Sequence, residues 1–92
     1  MSGNAKITVY GSEYCTYCTA ARMLLKKKGL DFEDVLVSQD EFARDRMEQL
    51  TGRHTVPQVV INDVVVGGFD ELYTLNESGE LDRLLREAPG KG

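Results

Sequence analysis

The sequence predicts an α/β fold in which a four-stranded mixed sheet is flanked by helices, in the order βαβαββα with the last helix split. Three observations predict it. Short runs rich in β-branched residues alternate with stretches whose apolar residues recur at helical spacing. The first two β-rich runs bracket a helix, as a right-handed parallel crossover requires. The last two are separated only by Asn62-Asp63, as a tight antiparallel hairpin requires.

Each element follows from local chemistry. Lys6 to Tyr10 is β-rich and ends at the turn residues Gly11-Ser12. From Thr16 to Lys28, Cys18, Ala21, Leu24 and Leu25 mark one helix face, and Gly29 is the glycine that lets a helix end. Lys26, Lys27 and Lys28 are cations suited to that helix C-terminus. Phe32 to Val37 reads as the second strand. Asp40 is an N-cap for a helix from Glu41 to Leu50, with Ala43, Met47 and Leu50 on one face and Thr51-Gly52 ending it. Gln58 to Ile61 and Val64 to Val66 form the hairpin, and Gly67-Gly68 breaks it. Asp70 is a cap for a third helix from about Glu71. Leu81, Leu84, Leu85 and Ala88 mark a last amphipathic helix ending near Pro89. This order is that of the thioredoxin-like arrangement.

Composition bounds the function. Ninety-two residues are expected to form one domain, residues 1–92, with room for one modest core and none for a lid. Eleven basic residues against fifteen acidic give a net charge of −4, which argues against a nucleic-acid partner. No apolar run approaches the roughly 18 residues of a membrane span, and MSGNA has no apolar signal core, so no membrane partner and a cytoplasmic location are expected. Two cysteines are too few for a disulfide-stapled scaffold. They stand three apart, at Cys15 and Cys18.

That spacing, at the start of the first helix, carries chemistry. The unpaired N–H groups of a helix N-terminus and its macrodipole favour an anion, so Cys15 is expected to be the attacking thiolate. Cys18, almost one turn later, faces partly inward and is expected to resolve the mixed disulfide that Cys15 forms. Zinc would need four ligands, and the only histidine is His54, to which no role is assigned. A static disulfide is disfavoured in a reducing compartment. Two incidental buried cysteines would have no need of a helix N-terminus inside a βαβ unit, where the sequence rule for redox pairs places them.

Around the pair, Pro57 at a strand start makes a cis Val56–Pro57 peptide a reasonable expectation, one that would turn the Val56 backbone toward a bound extended chain; an ordinary trans proline is the alternative. Gly67-Gly68-Phe69-Asp70 suits a ligand with both charges of an α-amino acid. Its glycines let another backbone approach, the helix N-terminus receives a carboxylate and Asp70 receives an ammonium group. A plain capping role for Asp70 is compatible with this. Arg44 and Arg53 are the basic residues expected near a ligand carboxylate.

With these residues assembled, the chain resembles a small dithiol glutaredoxin from about Lys6 to Leu85. The likeness is carried by Cys15-Thr16-Tyr17-Cys18, Gly52-Arg53 before Thr55-Val56-Pro57-Gln58, Gly67-Gly68-Phe69-Asp70 and the Leu-rich end. It implies a thiol–disulfide oxidoreductase that reduces protein disulfides and glutathione mixed disulfides, with glutathione as the reductant. Cys15 and Cys18 would be catalytic. Tyr17 would flank the glutathione sulfur, Thr55 and Val56 would pair with its cysteinyl part beside Pro57, Gly68, Phe69 and Asp70 would hold its γ-glutamyl end, and Arg44 would meet its glycine carboxylate. Two departures stand out: Thr16 replaces the family's common proline, and Ser12 replaces a lysine that would favour the thiolate and the glutathione carboxylate. Relatives with a small residue at the Thr16 position can resemble this site and hold a [2Fe–2S] cluster between two subunits, through the first cysteine and two glutathiones. The alternative implied is therefore a cluster-binding dimer with Cys15 as ligand, against a monomer with no metal otherwise.

Overall fold

The computed structural model describes residues 5–86; Ala88 and Pro89, expected at the end of the last helix, lie outside the described residues. Strands β1 (Ile7–Gly11), β2 (Glu33–Leu36), β3 (Gln58–Ile61) and β4 (Val64–Gly67) form one sheet in the order β2-β1-β3-β4. β1 runs parallel to β2 and antiparallel to β3, and β4 is antiparallel to β3. The helices are α1 (Thr16–Lys27), α2 (Glu41–Thr51), α3 (Phe69–Ser78) and α4 (Glu80–Arg86). The fold is the expected α/β thioredoxin-like arrangement, and Gly79, at φ +86°, splits the last helix.

Side-chain alternation along the strands divides the interior in two. Ile7, Val9, Val59 and Ile61 pack with Ala21 and Leu25 of α1, Leu72 of α3 and Leu81 of α4. On the opposite face Tyr10 packs with Val37 and with Met47 of α2. Each fully buried side chain of this size is worth about 1.5–3 kcal/mol of burial. The helix ends follow from their residues. Asp40 caps α2 by accepting from the Phe42 and Ala43 N–H groups at 3.0 and 3.3 Å. Gly29, at φ +74°, closes α1, its N–H reaching the Lys26 carbonyl while the Leu30 N–H reaches that of Leu25.

Four details differ from the sequence expectation. β2 is shorter than Phe32–Val37, because its ladder with β1 begins at Glu33 and Val37 opens a 3-10 turn, Val37–Gln39. Leu50 is half exposed, bordering an open cavity between α2 and the strands with Phe42 and Val60. Gly67 ends β4 instead of breaking it, and α3 starts at Phe69. Asp70 does not cap α3: the Glu71 carboxylate accepts the Gly68 N–H at 2.8 Å, so the cap comes from the third helical residue.

Candidate active site

The turn between β1 and α1 delivers Cys15 to the helix N-terminus. Its extended backbone (φ −99°, ψ 120°) makes it the N-cap, and its Sγ accepts the Cys18 N–H at 3.2 Å. One of the orphan helix donors is thereby aimed at the sulfur. The half-buried Cys15 thiol donates to the Val56 carbonyl at 3.8 Å, which joins the helix start to the segment before β3. The preceding turn is clamped from outside. Ser38 Oγ and Gln39 Nε2 each donate to the Glu13 carboxylate at 2.6 Å. The Ser38 bond leads in holding the Glu13 carboxyl below the ordinary carboxylate range.

Cys18 sits one turn deeper and is fully buried. Burial, followed by the neighbouring Cys15 thiol, pushes its pKa from the ordinary 9.0 up to about 11. The Arg22 guanidinium offsets part of this. Its place is fixed by Nε at 3.1 Å from Asp34 Oδ1 and Nη2 at 3.2 Å from the Ser12 carbonyl. The folded state thus keeps a proton that the unfolded chain releases, so this contribution to stability is whole below pH 9.0 and is lost as pH rises through about 11. We expect the urea midpoint of the wild type to fall over that window relative to Cys18→Ser; parallel pH profiles for the two proteins would refute the assignment.

Gly11 makes the space for this thiol. A Cβ there would lie 2.9 Å from Cys18 Sγ and 3.0 Å from Arg22 Nη2. Gly11→Ala is therefore expected to cost about 1–3 kcal/mol through overpacking, read as a lowered melting temperature. An unchanged melting temperature would show that the site absorbs the methyl group.

A groove of about 270 Å³ is lined by Tyr17, Arg53, Thr55, Val56, Pro57, Gln58, Gly68, Phe69, Asp70 and Glu71. The Val56–Pro57 peptide is cis. Gln58, almost fully buried, donates its amide to the Thr55 carbonyl at 3.1 Å and hydroxyl at 3.3 Å, and so holds the segment that forms one wall. Phe69 stacks on Tyr17 with ring centroids 6.2 Å apart, closing the opposite wall onto the Cys15–Cys18 helix. Val56 of this groove carries the carbonyl that meets the Cys15 thiol, whereas a larger cavity of about 660 Å³ between β4, α3 and α4 shares only Asp70 and Glu71 with the groove.

The structure therefore brings Tyr17, Thr55, Val56, Pro57, Gly68, Phe69 and Asp70 together beside Cys15, as the sequence expectation grouped them. Arg44, half-buried on α2, is not among the residues that line this groove. The cation in the groove is Arg53. Glu71 and Gln58 are additional lining residues. The Gly68-x-x-Glu71 spacing, that of an N-cap and third helical residue, is the signal that points to Glu71. Among the described residues no three His, Cys, Asp or Glu side chains gather as a metal site. A cluster held by four thiolates thus finds no complete ligand set in one copy of the chain.

No helix among the described residues is long and apolar enough to cross a membrane. A family model described as glutaredoxin matches residues 7–66. Glutaredoxin 3 of Escherichia coli (strain K12) is 39% identical over 82 residues, covering 89% of this chain and 99% of the relative. The solution structure of glutaredoxin from Brucella melitensis superposes with a TM-score of 0.78 at 38% identity, covering 91% of each chain. The crystal structure of a buckwheat glutaredoxin–glutathione complex superposes with a TM-score of 0.80 at 26% identity, covering 90% of this chain and 78% of that one.

Proposed function

The chain belongs to the glutaredoxin family, glutathione-dependent disulfide oxidoreductases of thioredoxin-like fold, and on that premise we propose that Cys15 and Cys18 form its catalytic pair. The observation that carries this reading is the Cys15 Sγ at the N-cap of α1, accepting the Cys18 N–H at 3.2 Å and lying 3.8 Å from the carbonyl of Val56, a residue of the groove. The Cys15 thiolate attacks the glutathionyl sulfur of a mixed disulfide, forms Cys15–S–S–glutathione and releases the substrate thiolate. A second glutathione thiolate then attacks that disulfide, regenerating Cys15 and leaving as glutathione disulfide. With a protein disulfide, Cys15 forms the mixed disulfide with one substrate sulfur and Cys18 displaces it. This leaves a Cys15–Cys18 disulfide that two glutathiones reduce.

In this reading glutathione occupies the groove. Tyr17 and Phe69 flank its sulfur, the Thr55–Val56–Pro57 wall meets its cysteinyl backbone, and Gly68, Phe69 and Asp70 receive its γ-glutamyl end. Arg53, the cation that lines the groove, meets its glycine carboxylate together with Arg44, to which the resemblance gives that role. The partners are glutathione and disulfide-containing or glutathionylated proteins, met by a monomer of one domain in the cytoplasm, where a free dithiol persists. The test is trapping. Exposed to glutathione disulfide, Cys18→Ser is expected to accumulate one glutathione, mapped to Cys15 by peptide mass spectrometry. No label on Cys18→Ser, or equally fast labelling of Cys15→Ser, would overturn the assignment.

A further inference from the structure

The groove contains a carboxylate of its own. Glu71 Oε1 accepts the Gly68 N–H at 2.8 Å, and Oε2 stands 3.7 Å from Arg53 Nη1. The side chain lies across the glycine corner: a Cβ on Gly67 would come within 3.2 Å of the Glu71 Cγ, Cδ and Oε1, and one on Gly68 within 3.4 Å of Oε1. The room that two glycines open for another backbone is thus partly taken by the chain itself. Among the described residues, the Arg53 guanidinium forms an ion pair with Glu71 alone.

We propose that Glu71 sets the affinity of the groove for glutathione by holding, with its own carboxylate, the Gly68 amide and the Arg53 guanidinium that a carboxylate of the tripeptide would otherwise meet. This rests on the glutathione reading above. Glu71 and Arg53 are both about half exposed, so their pairing is weak and a ligand displaces it at small cost. The charge persists at neutral pH. The residue's own N–H and that of Gly68, followed by Arg53, hold its carboxyl below the ordinary range. An exposed pair of this kind is worth a few-fold in a binding constant, enough to tune an affinity without blocking the site.

A purely structural role for Glu71, as the cap of α3, makes a different prediction, and Glu71→Gln separates the two. The amide oxygen still accepts the Gly68 N–H, but the charge facing Arg53 is gone. Binding of S-methylglutathione, which cannot exchange disulfides, is measured by calorimetry on the reduced wild type, Glu71→Gln, Arg53→Gln and the double variant. Glu71→Gln is expected to bind about two- to fivefold more tightly, and that gain should vanish when Arg53 is also replaced. Equal affinity in the wild type and Glu71→Gln, weaker binding by the variant, or a gain that survives Arg53→Gln would overturn the proposal. In the wild type itself, saturation with the ligand should move the Gly68 amide resonance as Glu71 leaves it. A stationary resonance with ligand bound overturns the proposal even if the variant does not fold. Failure of the wild type to bind S-methylglutathione would instead remove the glutathione reading on which it stands.

Discussion

Cys15→Ser is expected to abolish turnover of protein disulfides and glutathione mixed disulfides alike, a loss on the order of 10³-fold or more, because it removes the one nucleophile at the helix terminus. The hydroxyl that replaces the thiol meets the same Cys18 N–H, so the fold should be kept while the chemistry is lost. Cys18→Ser is expected to divide the activities. It should abolish reduction of protein disulfides, which needs a second thiol to displace the bound substrate, and retain deglutathionylation, in which glutathione does the displacing. The burial that raises the Cys18 pKa to about 11 sharpens the division. At neutral pH very little Cys18 is thiolate, so the dithiol route should accelerate with rising pH more steeply than the monothiol route. Glutathione-coupled assays on the wild type and both serine variants, with a glutathionylated peptide and a protein disulfide as substrates, measure all of this. Activity surviving Cys15→Ser would remove the mechanism, protein-disulfide reduction surviving Cys18→Ser would remove the dithiol route, and loss of both activities in Cys18→Ser would remove the monothiol route.

The parts of the fold and site that the sequence carried are those written locally. The βαβ crossover, the Asp40 cap, Gly29 closing the first helix and the two-residue Asn62-Asp63 turn each occupy a short window. Their propensities and the global fold agree. Thr55-Val56-Pro57 and Gly68-Phe69-Asp70 were likewise legible because each is a contiguous segment that enters the groove as a unit. The contacts that escaped are side-chain meetings between distant segments. Glu13 reaches Ser38 and Gln39, Arg22 reaches Asp34 beside Cys18, and Glu71 reaches Arg53. None of these pairs leaves a period or a motif. Arg53 enters the groove within the same contiguous stretch as Thr55, whereas the place of Arg44 depends on how α2 packs on the sheet, with Met47 buried against Tyr10 and Val37. The start of α3 differs from expectation because Asp70 is a good cap in isolation, whereas the close fit of Glu71 over Gly67 and Gly68 decides it in the folded chain.

Asn62→Ala is expected to cost about 2–4 kcal/mol, a large share of the roughly 5–15 kcal/mol that holds a small domain together. Asn62 looks in the sequence like half of a weak turn signal, yet in the fold it ties three elements. Its N–H donates to the Lys6 carbonyl and its Oδ1 accepts the Lys6 N–H, both at 2.8 Å, which fastens the start of β1 to the end of β3. Its Nδ2 donates to the Leu84 carbonyl at 3.0 Å, fastening α4 to the same corner. The residue is 7% exposed, so groups deprived of it are poorly reached by water. Its backbone is left-handed, at φ +51°, and Asp63 follows at +68°, as a hairpin turn of mirror-image type requires. Alanine therefore loses the side-chain bonds and adds backbone strain of about 1 kcal/mol, whereas glycine loses the bonds alone. Urea denaturation should rank the wild type above Asn62→Gly and Asn62→Gly above Asn62→Ala, with unchanged slopes. Because Asn62 follows the end of β3 opposite Pro57, the folded fraction of either variant should keep the reactivity of Cys15. Stability within about 0.5 kcal/mol of the wild type for Asn62→Ala would mean that β1 and α4 are held by burial alone and that the asparagine only shapes the turn.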